Sequence, residues 1–256
     1  MSGPVTSSVD SGVATITIDR PEALNALNIE TLDALREAIK SAKDADASVL
    51  VFTGAGDDAF IAGADIQYMR ELSVEGAYEY ASMGHELIDD IKSYPGPAIA
   101  AINGYAFGGG AELALGCDLR VASEQAVIGQ TEIDLGIVPG WGGTQRLPSL
   151  VGDEIARRLV FFGERVDASD AHEIGLVGEV VAHEELDDHV QEMAEELAAK
   201  PSFALAAAKE SINMYEQTTM AGGLAFERRL WSSLYATADQ REGMTAFLED
   251  RDPDFE

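Results

Sequence analysis

The 256-residue chain has one cysteine, four histidines and no apolar run approaching the roughly 18–20 residues that span a membrane. With Cys117 alone, no internal disulfide can form, and its place in Leu113-Ala114-Leu115-Gly116-Cys117 reads as core. His183 and His189 are the nearest histidine pair, on a strongly charged helix, and a spacing of six keeps them off one helical face. His85 and His172 fall on other helices, so neither a metal site nor a histidine-based triad has support. No signal peptide opens the chain, Met1 to Asp10 reads as a small polar tail, and a cytoplasmic location is the expectation.

Positive charge is scarce too. Lysine and arginine total 17 against 46 acidic residues, a net charge of −29, and only five of the 17 are lysine. Such a chain is a poor partner for nucleic acid. The acidic residues are spread along it (Asp57-Asp58, Asp89-Asp90, Glu184-Glu185, Asp187-Asp188), and no D-x-D-x-D-G loop suggests calcium binding. A uniformly acidic surface suits a very salty, halophile-like cytoplasm. At about 1 M salt the Debye length falls to ~3 Å and self-repulsion is screened.

What is present is a folded α/β pattern, with 46% hydrophobic residues. Val13–Ile18 alternates as a strand, and Asn28 is placed to cap a helix carrying Leu32, Leu35, Ile39 and Ala42 on one face. Ser48–Thr53 reads as a buried strand, and Ala59–Ile66 as an apolar loop turning into a short helix capped by Asp65. A long helix over Val74–Ser93 is stopped by Pro95-Gly96-Pro97. Short strands are expected near Asp118–Ser123, Ala126–Gly129 and Gly175–Val181, and Gln130–Trp141 as a loop or short helix. From His183 the pattern is helical. The expected division is an α/β core over 1–195 and a helical region over 196–256. The latter's Phe226, Leu230, Trp231, Leu234, Tyr235, Phe247 and Leu248 need cover from the core or another subunit.

The chain is organised around Asn103-Gly104-Tyr105-Ala106-Phe107-Gly108-Gly109-Gly110-Ala111-Glu112-Leu113, between the buried run Ala98–Ile102 and a helix over Ala111–Cys117. A strand, a triple-glycine turn and a helix start present free N–H groups and the positive end of a dipole, the chemistry of an anion or oxyanion site. The residues fit a plain strand-to-helix turn equally well, with Glu112 complementing the dipole. The stretch is neither a Walker loop nor a G-x-G-x-x-G fingerprint, which argues against phosphate cradling.

Further segments resolve the ambiguity. Arg20-Pro21-Glu22-Ala23-Leu24-Asn25-Ala26-Leu27, Phe60-Ile61-Ala62-Gly63-Ala64-Asp65-Ile66, the central stretch, Gly129-Gln130-Thr131-Glu132, Leu135-Gly136-Ile137-Val138-Pro139-Gly140 and Gly142-Gly143-Thr144-Gln145-Arg146-Leu147 stand in order. Ala208-Lys209-Glu210 and Asp239 to Leu248 follow. In this order and spacing the chain resembles the crotonase (enoyl-CoA hydratase/isomerase) family over nearly its whole length.

The resemblance implies an α/β spiral of ββα units with a C-terminal helical region that mediates trimers, often paired into hexamers. It implies an oxyanion hole from the N–H groups of Ala64 and Gly109 for an acyl-CoA thioester carbonyl. Glu112 would activate the water that attacks C3 and Glu132 would deliver the proton to C2, with Gly140 beside that water. Ala23, Leu24, Ala62, Asp65, Ile66, Gln67 and Gly108 match substrate-contact positions. No metal or other cofactor is implied, since coenzyme A belongs to the substrate. Partners beyond that thioester, nucleic acid and membrane included, are not expected. The reaction implied is hydration of a trans-2-enoyl-CoA. A double-bond isomerase, a dehydratase running in reverse and a non-catalytic binding subunit are the alternatives. Many relatives carry Lys where Gln67 stands, and the Glu249-Asp250-Arg251-Asp252-Pro253-Asp254 segment is acidic where theirs is basic. Arg20, Arg251 or a neighbouring subunit's lysine are the remaining candidates for the CoA phosphates.

Overall fold

The first segment of the chain departs from the sequence expectation. A computed structural model describes residues 3–255, and in it Val5–Asp10 is not a tail but strand β1. It pairs antiparallel with β2 (Val13–Ile18) from Val5↔Ile18 to Asp10↔Val13. Ser11 and Gly12 both have positive φ (50° and 78°), the geometry of a tight hairpin turn. β1 lies at the edge of the larger sheet with five of its six residues exposed. It therefore carries no apolar alternation for periodicity to detect.

Helix α1 (Ile29–Asp44) begins where expected, because the Asn28 side chain accepts from the Thr31 N–H. Its face Leu32, Leu35, Ile39 and Ala42 is buried. After β3 (Val49–Gly54) come β4 (Ala59–Ile61), α2 (Ile66–Met69) and α3 (Val74–Ser93), the last with the expected bounds. The chain continues through β5 (Ala98–Ile102), β6 (Tyr105–Phe107) and α4 (Gly109–Gly116). β7 (Leu119–Ser123), β8 (Val127–Gly129), α5 (Gly143–Val151), α6 (Asp153–Phe162) and β9 (Arg165–Asp167) follow. α7 (Ala168–Glu173), β10 (Glu179–Val181) and α8 (Leu186–Ala198) lead into the C-terminal helices. Those are α9 (Ser202–Asn213), α10 (Met220–Leu234) and α11 (Ala238–Glu249).

The pairs β3–β4, β5–β6 and β7–β8 each give one strand to each of two sheets, ordered β1-β2-β3-β5-β7-β10 and β4-β6-β8-β9. Successive pairs stack in parallel, so the chain advances as the expected spiral. Three of the four strands of the smaller sheet, at Ala59, Tyr105 and Arg165, escape the sequence reading. Each is three residues long, too short for any period, and exists because the next turn of the spiral supplies its partner.

The larger sheet is covered on both faces, as near-continuous apolar strands require. Along β3, Leu50 and Phe52 enter the main core with α1 and α3, while Val49 and Val51 meet Leu186, Val190 and Ala194 of α8 on the other side. Cys117 is buried at the end of α4. His183 precedes α8, in a short 3₁₀ turn, with Nδ1 2.9 Å from Ser123 Oγ, while His189 pairs with Glu179. No helix among the described residues is long and apolar enough to cross a membrane.

The C-terminal helices are fastened to the core by a buried cation. Lys209 Nζ donates to the carbonyls of Ile91 (3.0 Å) and Gly96 (2.9 Å) and lies 2.9 Å from Asp118 Oδ2, which accepts from Ala98 N at 2.7 Å. The chain half-buries Phe226, Leu230 and Leu234 of the tail, while Trp231, Tyr235, Phe247 and Leu248 stay exposed, the last two above 80%. Lys209→Met strands a carboxylate and two carbonyls. It should lower unfolding free energy by about 3 kcal/mol, whereas Lys40→Met, in exposed pairs, should change it by less than about 1 kcal/mol. Urea titration in concentrated KCl checks both.

Candidate active site

Two segments distant in sequence create the centre of the site. Residues 24–27 run beside residues 62–65, with Ala62 N donating to Leu24 O (3.0 Å), Leu27 N to Gly63 O (2.9 Å) and Asp65 N to Leu27 O (2.7 Å). The Ala64 N–H has no acceptor among the described residues. Tyr80 of α3 adds a hydrogen bond from its hydroxyl to Leu27 O at 2.7 Å. Asn25, fully buried, donates to Ala55 O and Ala59 O and braces the loop behind. Asp65 caps α2 through Gln67 N and Tyr68 N and pairs with Arg20 at 3.2 Å.

The second segment is the start of α4. Gly108 has φ 48° and ψ −121°, a combination only glycine adopts readily. This turn leaves Gly109 N as the first free donor of a helix whose eight residues are all buried. Ala64 and Gly109 line one cavity of about 300 Å³, together with Ala62, Ile66, Gly108, Glu112, Glu132 and Gly140. Of the expected site residues, Ala23, Leu24, Asp65 and Gln67 do not line it. Leu24 and Asp65 act on its wall through the hydrogen bonds above, and Gln67 is exposed.

Glu112 is buried in the first turn of α4, and its Oε1 accepts from Trp141 N and Gly143 N, both at 2.7 Å. Burial pushes its carboxyl up from the ordinary range, opposed by the N–H groups of Gly143, Trp141 and Gly140. Glu132 opens a 3₁₀ turn over Glu132–Leu135 and is also buried. Burial first, then the charge of Glu112, pushes its carboxyl up to about 7. Two carboxyls in such proximity resist double ionisation. The N–H donors on Glu112 oppose the effect of burial there, and both carboxyls stay above the ordinary range.

Gln130, Tyr80 and Trp141 were not singled out from sequence. With its amide nitrogen turned toward Glu132, the buried Gln130 donates to both carboxyl oxygens at 3.0 and 3.1 Å and fixes their plane. Trp141 is buried, and its ring meets Tyr80 edge-on at 5.4 Å. Its one signal was an aromatic lodged among Gly140, Gly142 and Gly143. Both arginines considered for phosphate contact already hold carboxylates: Arg20 that of Asp65, and Arg251 those of Glu242 and Glu249. Among the described residues no cluster of three or more His, Cys, Asp or Glu is placed to hold a metal ion.

The sequence profile described as enoyl-CoA hydratase/isomerase matches residues 8–256. The chain belongs to that family. It is 43% identical over 244 residues to a crotonyl-CoA hydratase of Syntrophomonas wolfei, covering 95% of this chain and 94% of the relative. It is 40% identical over 240 residues to a short-chain-enoyl-CoA hydratase of Clostridium acetobutylicum, covering 93% and 92%. Among solved structures, an enoyl-CoA hydratase from Bacillus anthracis superposes with a TM-score of 0.94 at 37% identity, covering 98% of both chains. The family's α/β spiral is thus the fold of this chain.

The raised Glu132 carboxyl has a consequence for stability. Its folded value lies above the unfolded one, so the native state binds the extra proton. That contribution is full below about pH 4.5 and is lost as pH rises through about 7. Between those limits wild type should lose on the order of 2–3 kcal/mol relative to Glu132→Gln. Paired denaturant titrations across the range read the difference, from which the background of surface charge cancels.

Proposed function

We propose that this family member is an enoyl-CoA hydratase, adding water reversibly across the double bond of a trans-2-enoyl-CoA to give a 3-hydroxyacyl-CoA. The observation that carries the reading is the convergence of two buried carboxyls and two unpartnered backbone N–H groups on one cavity. Ala64 N–H and Gly109 N–H receive the thioester oxygen as it gains enolate charge, where losing one donor typically costs about 3–4 kcal/mol of barrier. Glu112, as carboxylate, takes a proton from the water whose oxygen bonds to C3, and Gly140 lies against that water. Glu132, whose carboxyl is raised to about 7, gives its proton to C2. The proton on Glu112 then returns through solvent to Glu132, and no net charge is left. An isomerase needs only one shuttling carboxyl, and a second buried one in the same cavity favours the hydratase. The names of both curated relatives point the same way.

In this reading Ala62, Ile66 and Gly108 contact the acyl and pantetheine portion, while Ala23, Leu24, Asp65 and Gln67 lie toward the nucleotide. No cofactor beyond the substrate's own coenzyme A takes part. Residues 1–195 supply the core and 196–256 the oligomerising region. The exposed Trp231, Phe247 and Leu248 support a homotrimer or a hexamer of paired trimers, and the acidic surface supports a salt-adapted cytoplasmic enzyme. Ultraviolet loss of crotonyl-CoA in concentrated KCl tests the activity. Glu112→Gln and Glu132→Gln should each slow it by about 10²–10⁴-fold while leaving binding of a saturated acyl-CoA intact. Unchanged turnover in both variants would overturn the two-carboxylate reading. Affinity for the anionic substrate should rise with added KCl as repulsion is screened, and a steady fall with the fold intact would refute the salt adaptation.

A further inference from the structure

Glu112 takes its two hydrogen bonds from N–H groups two residues apart, on Trp141 and Gly143. They converge on one oxygen because Gly142, between them, has φ 104° and ψ 6°, a left-handed turn that shapes a backbone nest for an anion. The nest is held from two sides. On one, the Trp141 indole is wedged into space that two glycines leave open. A Cβ built on Gly84 of α3 would lie 2.2 Å from Trp141 Cε2 and Nε1, and one on Gly109 of α4 would lie 2.5 Å from Cζ3. On the other side stands Arg146, in the first turn of α5. Its Nη1 donates to the Trp141 carbonyl at 2.8 Å, and a Cβ on Gly142 would meet that nitrogen at 2.1 Å.

The placement of this arginine runs against its surroundings. A cation in the first turn of a helix opposes the helix dipole. In a chain with 46 acidic residues it forms no ion pair, and the Trp141 carbonyl is its side chain's one acceptor among the described residues. That carbonyl has no other donor there. The guanidinium thus fixes the peptide plane between the two N–H groups that hold Glu112, and if that plane turns they no longer converge. We propose that Arg146 is a positioning residue for the water-activating step, keeping the Trp141 and Gly143 N–H groups aimed at Glu112. The proposal rests on the hydratase reading and adds a residue that does not line the cavity and acts through the loop. The same N–H groups oppose the rise of the Glu112 carboxyl on burial. Once they lose their aim, the carboxylate that takes the proton from water forms only at higher pH. The other titratable groups about Glu112 are Glu132 in its 3₁₀ turn and Tyr80 and His85 of α3, all untouched by a change at Arg146.

The test compares wild type, Arg146→Met and Arg146→Lys on crotonyl-CoA in concentrated KCl, from acid to neutral pH. Arg146→Met should lower kcat by about ten- to a hundredfold and change KM by less than about threefold. It should also move the acid limb of kcat/KM upward by about one pH unit. Arg146→Lys, which keeps the charge and a donor, should recover most of the loss. A second reading needs no turnover. The carboxylate stretch of Glu112, isolated as the infrared difference against the matching Glu112→Gln protein, titrates with a midpoint that should move with the acid limb. A variant that loses only thermal stability, with limb and midpoint in place, overturns the proposal and leaves Arg146 a residue of the fold. So does a raised KM at unchanged kcat, which would make Arg146 a contact for the anionic substrate. If wild type hydrates no enoyl-CoA, the hydratase reading fails and the infrared midpoint alone decides the positioning role. Should Arg146→Met not fold, Arg146→Gln, polar and shorter, takes its place in both readings.

Discussion

A carboxylate in the first turn of a fully buried helix is costly to ionise, and the site is built on how this chain solves that problem. The loop from Pro139 to Gly143 folds back so that two of its N–H groups reach one oxygen of Glu112. Those bonds fix the carboxylate, and they also fix the loop. The same loop sets Trp141 against α3 and α4, while burial and then the charge of Glu112 raise the Glu132 carboxyl. One pair of hydrogen bonds thus ties the position of Glu112 to the shape of the cavity around both glutamates.

The electrostatics of the site and of the surface act on different scales. Inside, two glutamates and a few backbone dipoles share a dry space where each charge is felt by the other. Outside, a charge of −29 surrounds a site whose proposed ligand is an anion. Both arginines considered for the phosphates, Arg20 and Arg251, are already engaged with carboxylates. A phosphate must therefore compete with protein acids for the same guanidinium groups, a competition that mobile ions weaken on both sides.

Much of this was legible in the residues alone. Asn28 caps its helix, α3 has its expected ends and β3 is the buried strand expected, because elements with a consistent apolar pattern leave a signal that packing reinforces. The ordered motifs brought Ala64, Gly109, Glu112 and Glu132 together across some 70 residues of sequence. What escaped has a common cause. β1 is an exposed edge strand, while β4, β6 and β9 exist only because neighbours in the spiral complete them. Gln130, Tyr80 and Trp141 likewise matter through what approaches them in space, and no local pattern carries that.

Lys209 joins the C-terminal helices to the carbonyl of Gly96, two residues before the strand that leads toward the Gly108 turn. The wedge at Trp141 carries a different kind of consequence. Gly84 and Gly109 cannot acquire a side chain while the indole is present, whereas the indole can shrink with both glycines unchanged. Descent through single substitutions is therefore ordered at these three positions: the tryptophan must yield first, and only afterwards can either helix grow into the vacated space.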